Sequence, residues 1–197
     1  MIAYLKGKLV HKEPASVVVE VNGIGYQVSI SLHTYSGIKD KEDIRLSTYF
    51  HVREDAQILY GFGSEVEKQM FQHLISVNGV GPNTAMVMLS SLPPEELRSA
   101  IVREDAPALQ AVKGIGGKTA LRLILELKDK LKKESVDETP SNGGLVRNTM
   151  RQEALTALVT LGIGKAAAEK SIDTVLKRAG GGTITLEELV KQALKNA

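Results

Sequence analysis

Gly79 and Gly81 flank a single valine, and Gly114 and Gly116 flank a single isoleucine. The stretches around them repeat. Val77-Asn78-Gly79-Val80-Gly81-Pro82-Asn83-Thr84-Ala85 aligns with Val112-Lys113-Gly114-Ile115-Gly116-Gly117-Lys118-Thr119-Ala120, sharing the leading valine, both glycines and the Thr-Ala pair. Each copy runs into a mostly apolar stretch of helical spacing. A Gly-apolar-Gly turn ahead of a helix presents backbone N–H groups beside the positive end of the helix dipole, and that combination accepts a phosphate. Two such turns on one scaffold suit a chain that grips a sugar-phosphate backbone without reading its bases.

The candidate donors are Gly79, Val80, Gly81, Asn83 and Thr84 in the first copy, and Gly114, Ile115, Gly116, Gly117, Lys118 and Thr119 in the second. Arg122 lies one helical turn beyond Lys118, where it could flank the second phosphate. Lys113 is a weaker candidate. The hydroxyls of Thr84 and Thr119 can reach a phosphate or cap their own helices, and capping is the commoner role. The first copy has Asn83 where the second has Lys118, and Val87 where the second has Arg122. The first hairpin is therefore expected to bind through backbone more than through charge.

Two other readings of the glycines compete. Gly-Ile-Gly-Gly-Lys-Thr resembles a nucleotide phosphate loop, but that pattern needs a glycine five residues before the Gly-Lys-Thr glycine. Val112 stands there, and no strand precedes it. The second alternative is an ordinary helix C-cap glycine in each copy. Duplication with conserved spacing inside one chain favours the phosphate reading.

Composition narrows the rest. The 197 residues carry a formal net charge of only +2, so nucleic-acid binding must come from local charge and backbone donors rather than a bulk basic field. Cysteine is absent, which excludes disulfides and thiolate metal sites and fits a reducing cytosol. The four histidines are scattered singly, so no metal or other cofactor is expected. No apolar run could span a bilayer and no signal peptide precedes the first strand. A cytoplasmic protein without membrane partners is expected.

The elements that must position the turns fall into three segments, giving a multidomain α+β chain. Residues 1–63 read as short strands. Val17, Val19 and Val21 alternate with Val18 and Glu20, Asn22-Gly23 supplies a hairpin turn, and Ile24, Tyr26, Val28, Ile30 and Leu32 continue the period of two. Five strands here fit an OB-type barrel. Residues 64–133 read as helices in two helix–hairpin–helix units, opened by a capping box of Ser64 with Glu67. Residues 134–147 are polar and rich in turn formers, as in a flexible linker. Residues 148–197 recover helical spacing, with Met150, Ala154, Leu158 and Leu161 on one stripe, and predict a three-helix docking module.

With these parts in place the chain resembles the RuvA family of Holliday-junction-binding subunits. The most specific residues are Arg53-Glu54-Asp55-Ala56-Gln57 running into Leu59-Tyr60-Gly61-Phe62, and the Asn-Gly-Val-Gly-Pro hairpin. The resemblance implies a flat homotetramer, or two tetramers face to face as an octamer, that holds a four-way DNA junction open. It implies docking of the tail onto RuvB, a hexameric ATPase, with the junction resolvase RuvC as a further partner, and no active site in the chain itself. It places Leu158, Leu161, Ile163 and Leu194 at the motor contact, although their spacing also fits the tail's own core. It also makes Glu54 and Asp55 an acidic pin at the four-fold centre, where pattern alone reads them as a solvated turn. The chain departs from the family at Asn83, where members often carry lysine.

An enzyme is the competing class: a helix–hairpin–helix glycosylase or nuclease. It would need a catalytic Lys or Asp beside a base pocket, or a carboxylate cluster for metal. Asp105 and Asp129 lie near the second unit without such a constellation. Single-strand binding by the barrel is a third reading, opposed by the acidic final turn and by an aromatic content of 4%.

Overall fold

A computed structural model describes residues 1–137, 145–178 and 184–196. The chain forms two compact units, Met1–Lys132 and Lys133–Ala197.

The first unit opens with five strands: β1 (Tyr4–Glu13), β2 (Ser16–Val21), β3 (Ile24–Ile30), β4 (Asp43–Val52) and β5 (Gln57–Phe62). They close into a barrel in the order β1-β2-β3-β5-β4, with β1 also paired to β4. The register of β2 and β3 is set by Asn22-Gly23, which carry φ of 50° and 82° so that Val21 faces Ile24. Both turn residues are left-handed, the geometry that matches the twist of a two-residue hairpin. The period of two then sends Val17, Val19, Val28, Ile30, Leu46 and Leu59 inward to one core.

The strand pattern overran at one point. Leu32 does not continue β3. Ser31 accepts a hydrogen bond from the Thr34 N–H and starts helix α1 (Leu32–Ile38), leaving Leu32 exposed. An N-cap serine won over apolar alternation. The helix and β4 together form the connection that lets β3 and β5 pair in parallel.

Helices α2 (Glu65–Ser76), α3 (Pro82–Ser91), α4 (Pro94–Val102), α5 (Ala106–Gln110) and α6 (Gly117–Asp137) follow. Residue 63 marks the change from strand to helix, and packing crosses it. Tyr60 and Phe62 of β5 sit in the same core as Phe71, Leu74, Met88, Leu89, Leu97, Leu109, Leu123 and Leu127. The Phe71 ring lies 5.2 Å from Tyr60 and 5.0 Å from Phe62.

A buried carboxylate fastens the same seam. The Ser64 hydroxyl caps α2 by accepting from the Glu67 N–H at 3.1 Å. The Glu67 side chain, fully buried, does not return to Ser64 as a simple capping box would. It accepts from the Ser31 and Thr34 hydroxyls, the latter at 2.5 Å, and from the Gly63 N–H at 3.3 Å. One acidic group thus joins the end of β3, α1 and the β5–α2 junction.

A second tie spans the two hairpin units. Glu104 holds a left-handed φ of 62° at the end of α4, where the Asp105 N–H reaches the Ala100 carbonyl and the Glu104 N–H the Ile101 carbonyl. That is the Schellman pattern, usually given to glycine. Glu104 pairs with Lys128 of α6, whose hydrogen bond and charge hold its carboxyl below the usual range. A lowered folded value means the tie is present above the unfolded carboxylate pKa and is lost as pH falls through the folded one.

The second unit contains α7 (Leu145–Thr160), α8 (Lys165–Arg178) and α9 (Leu186–Lys195). Ala154, Leu155, Leu158, Ala168, Ile172, Val175, Leu189 and Ala193 form its core, and Arg151 meets Asp173 at 2.9 Å. The expected linker, 134–147, is helical at both ends, since α6 runs to Asp137 and α7 starts at Leu145. Its middle, residues 138–144, lies outside the described residues, as does Gly180-Gly181-Gly182, a run of turn formers expected to end the second helix of the tail.

Replacing Glu67 by alanine removes the acceptor of two buried hydroxyls, while the Gly63 N–H keeps Thr34 Oγ1 at 2.9 Å. The expected cost is about 3 kcal/mol in the first unit. All five tyrosines lie at or before residue 60, so urea unfolding followed by tyrosine fluorescence reads that unit alone. A midpoint equal to wild type would contradict the role given to Glu67.

Candidate nucleic-acid interface

The two hairpins are the same structure made twice. Gly79 and Gly114 carry φ of 90° and 91°, a region that costs an L side chain about 1–2 kcal/mol. The Val77 N–H bonds the Leu74 carbonyl at 3.2 Å, and the Val112 N–H bonds the Leu109 carbonyl at 3.2 Å. The Val80 and Ile115 N–H groups reach the Val77 and Val112 carbonyls, each at 3.1 Å. The Ala85 and Ala120 N–H groups close the next turn onto the Gly81 and Gly116 carbonyls at 3.0 and 2.9 Å.

This pattern separates the hairpins from an ordinary glycine cap. The tail supplies the contrast. Gly162 has φ of 91°, but there the Ile163 N–H reaches back to the Leu158 carbonyl and the Gly162 N–H to Val159. Those two bonds are a Schellman cap, which consumes the exposed donors. The hairpins lack the long-range member of that pair.

Val80 and Ile115 are therefore not donors. Their amides are committed within the turn and their side chains are buried at 5% exposure each. They are anchors, each contributing about 1.5–3 kcal/mol of burial, and they pull the flanking glycines into position. The apolar residue between two glycines reads equally well as donor or anchor in sequence; only its burial decides. Among the described residues no acceptor takes the N–H of Gly79, Gly81, Asn83 or Thr84, or of Gly114, Gly116, Gly117, Lys118 or Thr119. Gly79, Asn83, Gly114, Gly116, Gly117 and Lys118 are exposed, and Gly81, Thr84 and Thr119 are half-buried. Each corner is thus an accessible cluster of backbone donors at a helix start.

The threonines do not cap. Gly81 is the N-cap of α3, with no side-chain cap bond, and neither threonine hydroxyl has a partner among the described residues. Asn83 accepts from the Tyr60 hydroxyl at 3.4 Å. Burial pushes the Tyr60 phenol upward, opposed by the charge of Arg53, so it stays protonated and able to donate. Lys113 and Lys118 are exposed. Arg122 lies elsewhere than expected: its Nη1 donates to the Asn78 carbonyl of the first hairpin at 3.0 Å.

Glu54 and Asp55 occupy the exposed turn between β4 and β5, closed by the Arg53 N–H on the Ala56 carbonyl at 2.8 Å. The neighbouring Arg53 side chain turns back, its Nε donating to His51 Nε2 at 2.9 Å. Neither carboxylate has an ion-pair partner among the described residues. In the tail, Leu158 is fully buried and belongs to the core, which removes it from any contact surface. Ile163 packs half-buried on that core, while Leu161 and Leu194 are 62% and 42% exposed. Val159, 44% exposed, is a further exposed apolar residue of the tail that the spacing does not signal. Among the described residues no three acidic or histidine side chains could hold a metal ion, and no helix is long and apolar enough to cross a membrane.

Comparison with known proteins divides the chain in the same order. Residues 1–61 match the RuvA N-terminal domain, 71–129 the SAM-like helix–hairpin–helix tandem, and 149–197 the RuvA C-terminal domain. Relatives named Holliday junction branch migration complex subunit RuvA are similar over nearly the whole chain. That of Cytophaga hutchinsonii is 53% identical over 99% of both chains. That of Christiangramia forsetii is 47% identical over 99% of both, and that of Flavobacterium psychrophilum is 43% identical over 100% of both.

The open corner makes a specific demand on Gly116. Nothing lies within 4 Å of a Cβ built there, and its φ is not left-handed. Gly116→Ala should leave thermal unfolding within about 1 kcal/mol of wild type while its methyl shields the donors and weakens DNA binding roughly tenfold. Undiminished binding, read by gel shift, would remove the corner from the interface.

Proposed function

This chain belongs to the RuvA family, and on that premise we propose that it binds four-way Holliday junctions by their shape, as the non-catalytic DNA-binding subunit of a branch migration complex in recombination and repair. The observation that carries the reading is the pair of open amide corners, built alike. Backbone donors recognise phosphate and ignore sequence. ATP hydrolysis belongs to the partner ATPase RuvB.

Selectivity for a junction comes from repetition. One protomer offers two modest grips. A homotetramer offers eight on one plate, and grips held together act at high effective concentration. This explains how a chain with a net charge of +2 holds a polyanion. The exposed Leu121 and Leu125 of α6, one turn apart at 62% and 81% exposure, support further self-association, as two tetramers closing face to face would require. RuvC would act on the junction so held.

Glu54 and Asp55 act by repulsion. With four copies gathered at a centre, eight carboxylates face the crossing strands, and like charge keeps an intact duplex from settling there. Their lack of cationic partners leaves that charge uncompensated. In the tail, Leu161, Leu194 and Val159 form the apolar contact for the motor, with Ile163 supporting them from the core edge.

The reading is tested by a gel shift comparing a four-way junction, a duplex and a single strand at one stated salt concentration. The junction should bind at least about tenfold more tightly than duplex; equal affinities would end the proposal. Replacing Glu54 by Gln and Asp55 by Asn should preserve junction binding and tighten duplex binding, so the junction-to-duplex ratio falls. An unchanged ratio would leave the pair as a solvated turn. Leu161→Asp should leave junction affinity intact and reduce stimulation of the RuvB ATPase by about tenfold or more, and full stimulation would move the docking surface elsewhere.

A further inference from the structure

The first hairpin lacks a cation of its own: Asn78, Asn83 and Val87 stand where the second has Lys113, Lys118 and Arg122. We infer that Arg122 is the phosphate-binding cation of the first hairpin, delivered to it from the helix of the second. This rests on the reading of the corners as phosphate sites.

The geometry is direct. Arg122 Nη1 donates to the Asn78 carbonyl at 3.0 Å, and a Cβ built on Gly79 would lie 3.8 Å from the same nitrogen. The guanidinium therefore rests against the turn whose Gly79 and Gly81 amides have no acceptor among the described residues. One of its five N–H groups is committed to Asn78; the remainder have no partner among the described residues. A planar fork held by one edge presents its other edge in a fixed direction, and that edge matches two phosphodiester oxygens. The side chain is exposed, so its charge is available to a backbone approaching the corner.

The arrangement gives each half of the duplicated site a cation. The second corner keeps Lys113 and Lys118, which have no partner elsewhere among the described residues. The first receives Arg122. Because Arg122 sits on α6 and its acceptor follows α2, the same bond fixes the spacing of the two corners. The arginine both supplies charge and positions one grip relative to the other.

A double-mutant cycle on the full chain tests this, with Arg122→Gln and Asn83→Lys measured singly and together against a labelled four-way junction over a range of salt. Arg122→Gln should weaken binding roughly tenfold and lower the salt slope by roughly one per engaged protomer. Asn83→Lys should recover most of that loss in the Arg122→Gln background and strengthen wild-type binding by a markedly smaller factor, since the first phosphate is already served there. Equal factors in both backgrounds would show that the two side chains serve different phosphates and would overturn the inference. Arg122→Lys guards against loss of fold. It keeps the charge and loses the fork, so hydrogen exchange at Val80, whose amide closes the first turn, should quicken while that at Ile115, which closes the second, stays unchanged. Unchanged exchange at both corners would overturn the positioning role. Loss of junction preference in the wild type itself would sink the underlying reading, whereas additivity with that preference intact sinks only the assignment of Arg122.

Discussion

The proposed function depends on backbone N–H groups to which the fold gives no acceptor among the described residues. A glycine in the left-handed region turns the chain, and the next residue, Val80 or Ile115, is driven into the core with its own amide satisfied. The flanking amides are then aimed at solvent beside a helix start. Water satisfies them in the free protein, so they carry no desolvation penalty. On the proposed reading a phosphate oxygen would replace that water and gain the field of the helix as well. The hydrophobic core and the binding site are therefore one device: the burial of one side chain exposes its neighbours' backbone.

The barrel serves this device as a base. Tyr60 and Phe62 enter the helical core, Tyr60 reaches Asn83, and Glu67 ties β3, α1 and α2 together. These contacts hold the first corner to the same rigid body as the Glu54–Asp55 turn. On the proposed reading, a body that attracts phosphates at its helices and repels them at a barrel turn would sort nucleic acids by shape, because only some backbone paths touch the first while avoiding the second. Low net charge is part of that sorting. A strongly basic surface would hold any duplex and blunt the distinction.

Much of this was legible in the residues. Period-two alternation and Asn22-Gly23 gave the barrel strands, because steric rules for a two-residue hairpin act locally. The duplicated glycines gave the corners for the same reason. Three features were not legible. Leu32 extended an apolar alternation and was read as strand, although Ser31 had already begun a helix. Leu158 and Leu161 shared one helical stripe, yet one is core and the other surface, since the helix ends there at Gly162 and the stripe leaves the packing face. Arg122 sat beside the second hairpin in sequence and bonds the first in space. Each miss concerns where a side chain goes once distant elements pack, which no local pattern encodes.

Hydrogen exchange with and without a four-way junction bears most directly on the central claim. The account requires slowed exchange at the amides of Gly79, Gly81, Asn83 and Thr84 and of Gly114, Gly116, Gly117, Lys118 and Thr119, with the Glu54–Asp55 turn unprotected. Protection confined to the barrel strands, with both glycine corners exchanging as freely as before, would contradict it.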